Sequence, residues 1–191
     1  MRQSAFSLEG KSIMITGASS GLGESVALEC SKAGAQLQIA GRNKEKLNQT
    51  FDKLSGNNHS QFPFDLASSE EISNFCSDLP NLDGVVLCAG ITKSIPVKHV
   101  SHSVVTEIFQ TNIFGSIQII QTLLKQKKIN KNSSIVFISS ISTTYADKGN
   151  SIYSASKGAI NSFSRGLALE LAVRGITSNC IEPGFISSDL L

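Results

Sequence analysis

The 191-residue sequence lacks an excess of either charge: 17 Lys and Arg stand against 15 Asp and Glu, a net of +2. So even a balance gives no broad basic field for a phosphate backbone, and nucleic acid is excluded as an expected partner. The densest basic run, Lys125, Lys127 and Lys128 with Lys131, follows an apolar helical stretch. Cations there complement the negative end of a helix dipole, so a solvated helix end is expected. Long apolar runs are also missing. None approaches the ~20 residues a bilayer span needs, and residues 1–11 hold no apolar stretch of signal-peptide length, so a cytoplasmic protein without a membrane partner is expected. Cysteine is scarce: Cys30, Cys76, Cys88 and Cys180 form no CxxC pair and have no histidine at ligand spacing. That excludes a disulfide scaffold and a structural metal, and predicts reduced, mostly buried thiols. There is no low-complexity linker and no repeat of roughly 20–50 residues, so residues 1–191 read as a single domain.

What is present is core. Hydrophobic residues make up 40% of the chain and charged residues 17%, and a domain of this size buries about 70% of its unfolded surface. Apolar, β-branched runs at residues 12–16, 36–40, 61–64, 84–88, 134–138 and 176–181 predict strands. Between them, residues 23–34, 108–124 and 153–173 carry apolar side chains at helical spacing. Strictly alternating strands and helices require right-handed crossovers between parallel strands. The expected fold is α/β: a doubly wound parallel sheet of Rossmann type in three α/β/α layers.

Directly after the first strand and opening the first helix stands Thr16-Gly17-Ala18-Ser19-Ser20-Gly21-Leu22-Gly23. Glycines in that context let the chain turn sharply and let a pyrophosphate reach backbone N–H groups at the positive end of a helix. The second strand should end beside the adenosine ribose, where an acid would bond a free 2′-hydroxyl. Gly41-Arg42 stands there instead, and Arg42 offers a fork of donors to a 2′-phosphate, with Ser19 and Ser20 supplying hydroxyls. NADP(H) is therefore expected over NAD(H). Farther on, Tyr153 and Lys157 lie four residues apart on a predicted helix, which puts phenol and ammonium on one face. A phenol titrates near ~10, and a neighbouring cation favours its phenolate. Ser139-Ser140 follows the fifth strand at the carboxyl edge of the sheet, where a hydroxyl could hold a carbonyl.

Together the glycine loop, Ser140, Tyr153-Ser-Ala-Ser-Lys157 and Pro183-Gly184 resemble the short-chain dehydrogenase/reductase family in its compact, classical subgroup, near its 3-oxoacyl-acyl-carrier-protein reductases. The resemblance implies that Tyr153 is the acid/base and that Ser140 polarises the carbonyl. It further implies that Lys157 binds the nicotinamide ribose and that Asn112 supports a water-linked proton path. It makes Gly17, Gly21, Leu22 and Gly23 part of the phosphate cradle and Asp65-Leu66 an adenine contact. Asp65 has a second reading, as an N-cap for a helix starting near Ser68. Cys88, Ala89 and Gly90 are then cofactor neighbours, as are Pro183, Gly184 and Ile186, with Ser188 where the family often has threonine. Phe185 and Ile186 are expected to begin a substrate lid, with Ile141, Ser142 and Tyr145 on the near wall. His99 and His102 are expected to be surface residues of a loop.

Two departures from the family pattern bear on function. Cys88 replaces the asparagine usual after the fourth strand, and a thiol is too weak a donor to bridge strand exits as a carboxamide does. Compact members also continue past the Pro-Gly turn with a lid, a seventh strand and closing helices, so this chain is expected to lack its carboxyl-terminal substrate segment. The implied function is hydride transfer between NADP(H) and a small carbonyl or secondary-alcohol substrate, without a metal. A homo-oligomer, dimer or tetramer, is implied if that segment exists. The alternative is a truncated homologue that binds the nucleotide without turnover.

Overall fold

A computed structural model describes residues 6–145 and 147–186. Its elements run β1 (Ser12–Thr16), α1 (Gly21–Lys32), β2 (Gln36–Gly41), α2 (Lys44–Phe51), β3 (Ser60–Pro63), α3 (Ser69–Asp78) and β4 (Leu82–Leu87). There follow α4 (His102–Phe109), a π turn (Gln110–Phe114), α5 (Gly115–Lys125), β5 (Ile129–Ile138), α6 (Ser151–Leu171) and β6 (Thr177–Ile181). Among the described residues the strands form one parallel sheet in the order β3-β2-β1-β4-β5-β6, the Rossmann arrangement expected from the sequence.

Alternation along β1 explains the layering. Ile13 and Ile15 face α1 and α2 in a core completed by Ala27, Leu37, Ile39 and Leu47. Met14 points to the other side, where Val85, Ile135 and Phe137 of neighbouring strands meet α3, α5 and α6 through Phe75, Ile120 and Leu167. On this side Phe75 stacks on Phe64 at 4.4 Å and meets Phe62 edge-on at 5.1 Å, pairs worth ~0.5–1.5 kcal/mol each beyond area burial. They fix the exit of β3 against α3.

Local signals misled in four places. The strand expected at 134–138 begins at Ile129, because the polar stretch 130–133 hides a strand that turns irregular at Asn132, φ 57°, where the β4 register also shifts. The helix expected over 108–124 is two helices joined by the π turn, a wide turn that apolar periodicity does not reveal. His102 lies in no loop: it is the first residue of α4, although it and His99 are exposed as expected. The basic run does not simply meet water, since Lys128 donates to the carbonyls of Ser77 and Leu79 where α3 ends. Lys125 closes the last turn of α5, exposed as expected, whereas Lys128 complements the dipole of α3. As for the thiols, all four are free, yet only Cys76 is buried while Cys30, Cys88 and Cys180 are half-buried. No helix among the described residues is long and apolar enough to cross a membrane.

Candidate active site

Strand order reverses between β1 and β4, because their crossovers run to opposite sides of the sheet, and the crevice of a doubly wound fold opens there. Two adjoining cavities occupy it, of about 310 and 350 Å³, with Leu22, Cys88, Gly90 and Ile91 on their shared wall.

The first cavity lies over the exits of β1 and β2. Gly17, Ser19, Ser20, Leu22 and Gly23 border it, as do Arg42, Asp65, Leu66, Cys88, Ala89 and Gly90. Gly21 borders neither cavity; at φ 55° it starts α1. Gly17 has φ 68°, and a Cβ on it would lie 2.7 Å from the Ala89 nitrogen. The loop therefore needs glycine both for its turn and for its approach to β4. Ser20, the residue before α1, makes no side-chain cap, so the first N–H groups of that helix face the cleft without a capping oxygen. At the end of β2, Gly41 leaves room for Ser19, whose Oγ would be 3.1 Å from a Cβ there. Arg42, Asn43 and Lys46 complete that end. Lys46 was not read from the sequence, although its i+4 offset from Arg42 was an available signal.

Asp65 does not cap α3. Ser68 does, accepting from the Glu71 N–H at 3.2 Å, while Asp65 Oδ1 accepts from Ala67 at 3.0 Å and Glu71 accepts from the Asp65 N–H at 2.9 Å. Across the exits of β1 and β4 the Ala89 N–H reaches Thr16 Oγ1 at a long 3.4 Å, and the Cys88 thiol, pushed up to about 12 by burial, stays protonated.

The second cavity gathers Ser140, Tyr153, Lys157, Pro183, Gly184 and Ile186. Its wall includes Ile141, Ser142, Tyr145 and Phe185, of which Tyr145 and Phe185 are 72% and 87% exposed. Ser188 lies outside the described residues. Ser140 ends β5's extension and opens a tight turn, Ile141–Thr143, with its Oγ accepting from the Ser142 N–H at 3.1 Å. Ser139 is buried, and its hydroxyl donates to the Lys157 carbonyl at 3.3 Å. Lys157 is 4% exposed; its Nζ donates to the Ile138 carbonyl at 2.7 Å and lies 5.8 Å from the centre of the Tyr153 ring. Burial pulls its pKa from 10.5 down to about 8.

Asn112 borders neither cavity. It sits in the π turn, 2% exposed, and clasps the Ile91 backbone both ways: Oδ1 accepts from the N–H at 2.8 Å and Nδ2 donates to the carbonyl at 3.0 Å. Nδ2 also donates to Ser156 Oγ at 2.9 Å, and that hydroxyl donates to the Tyr153 carbonyl at 2.7 Å. The wide turn thus braces the exit of β4 against α6.

A 3-oxoacyl-[acyl-carrier-protein] reductase, FabG, of Rickettsia bellii is 33% identical over 183 residues, covering 96% of this chain and 76% of that protein. Nodulation protein G of Rhizobium meliloti is 31% identical over 187 residues, covering 96% and 76%. A crystal structure of a dehydrogenase/reductase from Sinorhizobium meliloti superposes with a TM-score of 0.88 at 26% identity, over 97% of this chain and 76% of that one. A short-chain type dehydrogenase/reductase from Mycobacterium ulcerans gives 0.88 at 27%, over 97% and 71%. The short chain dehydrogenase family model matches residues 11–191, and with the glycine loop, Ser140, Tyr153 and Lys157 ranged along one crevice, the chain belongs to the short-chain dehydrogenase/reductase family.

Proposed function

We propose that this chain is an NADP(H)-dependent oxidoreductase acting on a carbonyl or secondary-alcohol substrate, with Tyr153 as acid/base. The observation that carries the reading is the convergence of Ser140, Tyr153 and Lys157 on a cavity that shares its wall with the cleft over the glycine loop. A dinucleotide fits the first cavity because the uncapped N–H groups of α1 suit a pyrophosphate, and Arg42, Lys46 and Ser19 suit a phosphate beyond β2. No acid stands at the end of β2 to favour a free ribose hydroxyl. The name of the Rickettsia bellii relative, a 3-oxoacyl-[acyl-carrier-protein] reductase, supports a carbonyl substrate.

When bound, the nicotinamide supplies or accepts the hydride. Ser140 Oγ already accepts from the Ser142 N–H, so its own proton is left to point at the substrate oxygen. Tyr153 gives that oxygen a proton in reduction and takes it back in oxidation. Lys157 holds positive charge near the phenol, its Nζ 5.8 Å from the ring centre. Its amine and Asn112 Oδ1 both border Gly90, 3.2 and 3.3 Å from where a Cβ would stand, so a side chain at that position would press on both.

Fluorescence titration and a carbonyl panel test the reading. NADPH should bind more tightly than NADH, with Arg42→Ala losing roughly tenfold in NADPH affinity and little for NADH. NADPH oxidation should vanish in Tyr153→Phe while NADPH binding persists. Tighter NADH binding overturns the cofactor assignment, and turnover surviving in Tyr153→Phe overturns the role of the phenol.

A further inference from the structure

Glu182 belongs to no motif singled out in the sequence, yet it touches both pieces that carry the reacting groups. It stands between the end of β6 and Pro183, and its two carboxylate oxygens take different partners. Oε1 accepts from Asn161 Nδ2 at 2.7 Å, and Oε2 accepts from Thr143 Oγ1 at 3.4 Å. Asn161 is on α6, four residues beyond Lys157 and eight beyond Tyr153, which puts the three on neighbouring turns of one side of the helix. Thr143 closes the tight turn that Ser140 opens.

The backbone reinforces the same junction. The Ser139 N–H donates to the Ile181 carbonyl at 2.8 Å and the Ile141 N–H to the Pro183 carbonyl at 3.0 Å, so the chain at Ser140 and the chain at Glu182 run side by side. These bonds tie the Ser140 segment to the end of β6. Deeper in, Ser139 Oγ on the Lys157 carbonyl joins α6 to that segment, and the Ser164 and Ser178 hydroxyls, 2.8 Å apart, join it to β6. The carboxylate adds a link at the mouth of the cleft, through a charge-assisted bond on the helix side and a longer one on the turn side.

We propose that Glu182 is a positioning residue: its carboxylate holds the Ser140 turn, the Pro183-Gly184 turn and the Tyr153–Lys157 side of α6 in one fixed arrangement. The inference rests on the reading of this cleft as a reductase site. Because Glu182 is exposed, its bonds add little to global stability, so losing them should disturb the site more than the fold. A glutamine could keep both links, accepting from Asn161 and donating to the threonine hydroxyl.

Only two tyrosines occur in the chain, Tyr145 and Tyr153, so 13C-tyrosine NMR reports on Tyr153 without needing turnover, with Tyr153→Phe supplying the assignment. In the full chain with NADP+ bound, Glu182→Ala should move the titration midpoint of Tyr153. It should also lower kcat for carbonyl reduction about tenfold, with KM for NADPH and the melting temperature nearly unchanged. Glu182→Gln should restore both the midpoint and kcat. An unmoved Tyr153 midpoint in Glu182→Ala overturns the proposal, as does a kcat loss that follows the melting temperature down in both variants. Absence of turnover in the unaltered chain counts against the reductase reading alone, since the Tyr153 signal still tests the carboxylate link.

Discussion

At the scale of single residues, Lys157 is where stability and the proposed function conflict. Its amine is buried and has the Ile138 carbonyl as its bonding partner, and burial lowers its pKa from 10.5 to about 8. Below pH 8 both folded and unfolded chains hold the proton, so the folded chain bears the whole cost of the buried charge, about 3 kcal/mol by linkage. Between pH 8 and 10.5 the unfolded chain keeps a proton that the folded chain releases, so this group makes stability rise with pH across that window. Lys157→Met should therefore abolish turnover yet raise the melting temperature near pH 7 by roughly 2–6 °C, once the lost bond to Ile138 is offset. Calorimetry of the variant should also show less pH dependence between 8 and 10.5 than the parent chain; equal slopes would count against a buried ammonium. The residue type and its distance from Tyr153 were legible in the sequence. Its burial was not, because neighbours from β4, β5 and β6 close over it only after the sheet forms.

At the scale of elements, the glycine loop is held by contacts among its own backbone atoms. A Cβ on Gly23 would stand 2.1 Å from the Gly17 carbonyl oxygen, so α1 can begin close to β1 only if this position is glycine. Gly23→Ala should force the loop away from the helix. The expected cost is roughly 2–3 kcal/mol, visible in urea unfolding, together with loss of NADPH binding. A variant as stable as the parent would mean that the loop relaxes freely. The opposite lesson comes from the π turn at Gln110–Phe114. Apolar periodicity ran smoothly across it, so the sequence suggested one helix. The extra backbone width there turns Asn112 inward, where it clasps Ile91 and braces α6. Similarly, capping α3 was the second reading of Asp65, but that helix starts at Ser69, and Ser68, the residue directly before it, takes the cap.

At the scale of the whole molecule, the reversal of strand order between β1 and β4 places the crevice, and β6 ends the sheet on the far side of β5. Among the described residues nothing pairs with the outer edge of β6, and Ile181 at its end is 54% exposed. Where an edge strand is left unpaired it recruits other strands, and a charged side chain blunts it. Asn179→Lys, at an exposed position of β6, should leave the far-ultraviolet circular dichroism unchanged and reduce light scattering on heating. Scattering as strong as in the parent would show that aggregation takes another route.

The sequence by itself determined the layer architecture, since alternating strands and helices leave parallel pairing with right-handed crossovers as the available solution. It also determined the glycine loop and the Tyr153–Lys157 pair, because each depends on spacing within one turn or one helix. Tertiary structure decided what no local spacing encodes. It gave Lys157 its depressed pKa, made Asn112 a brace, brought Lys46 beside Arg42 at the cleft, and set Glu182 between Thr143 and Asn161. Burial, and contacts between segments far apart in the chain, exist only once the sheet has aligned the strand exits along one edge.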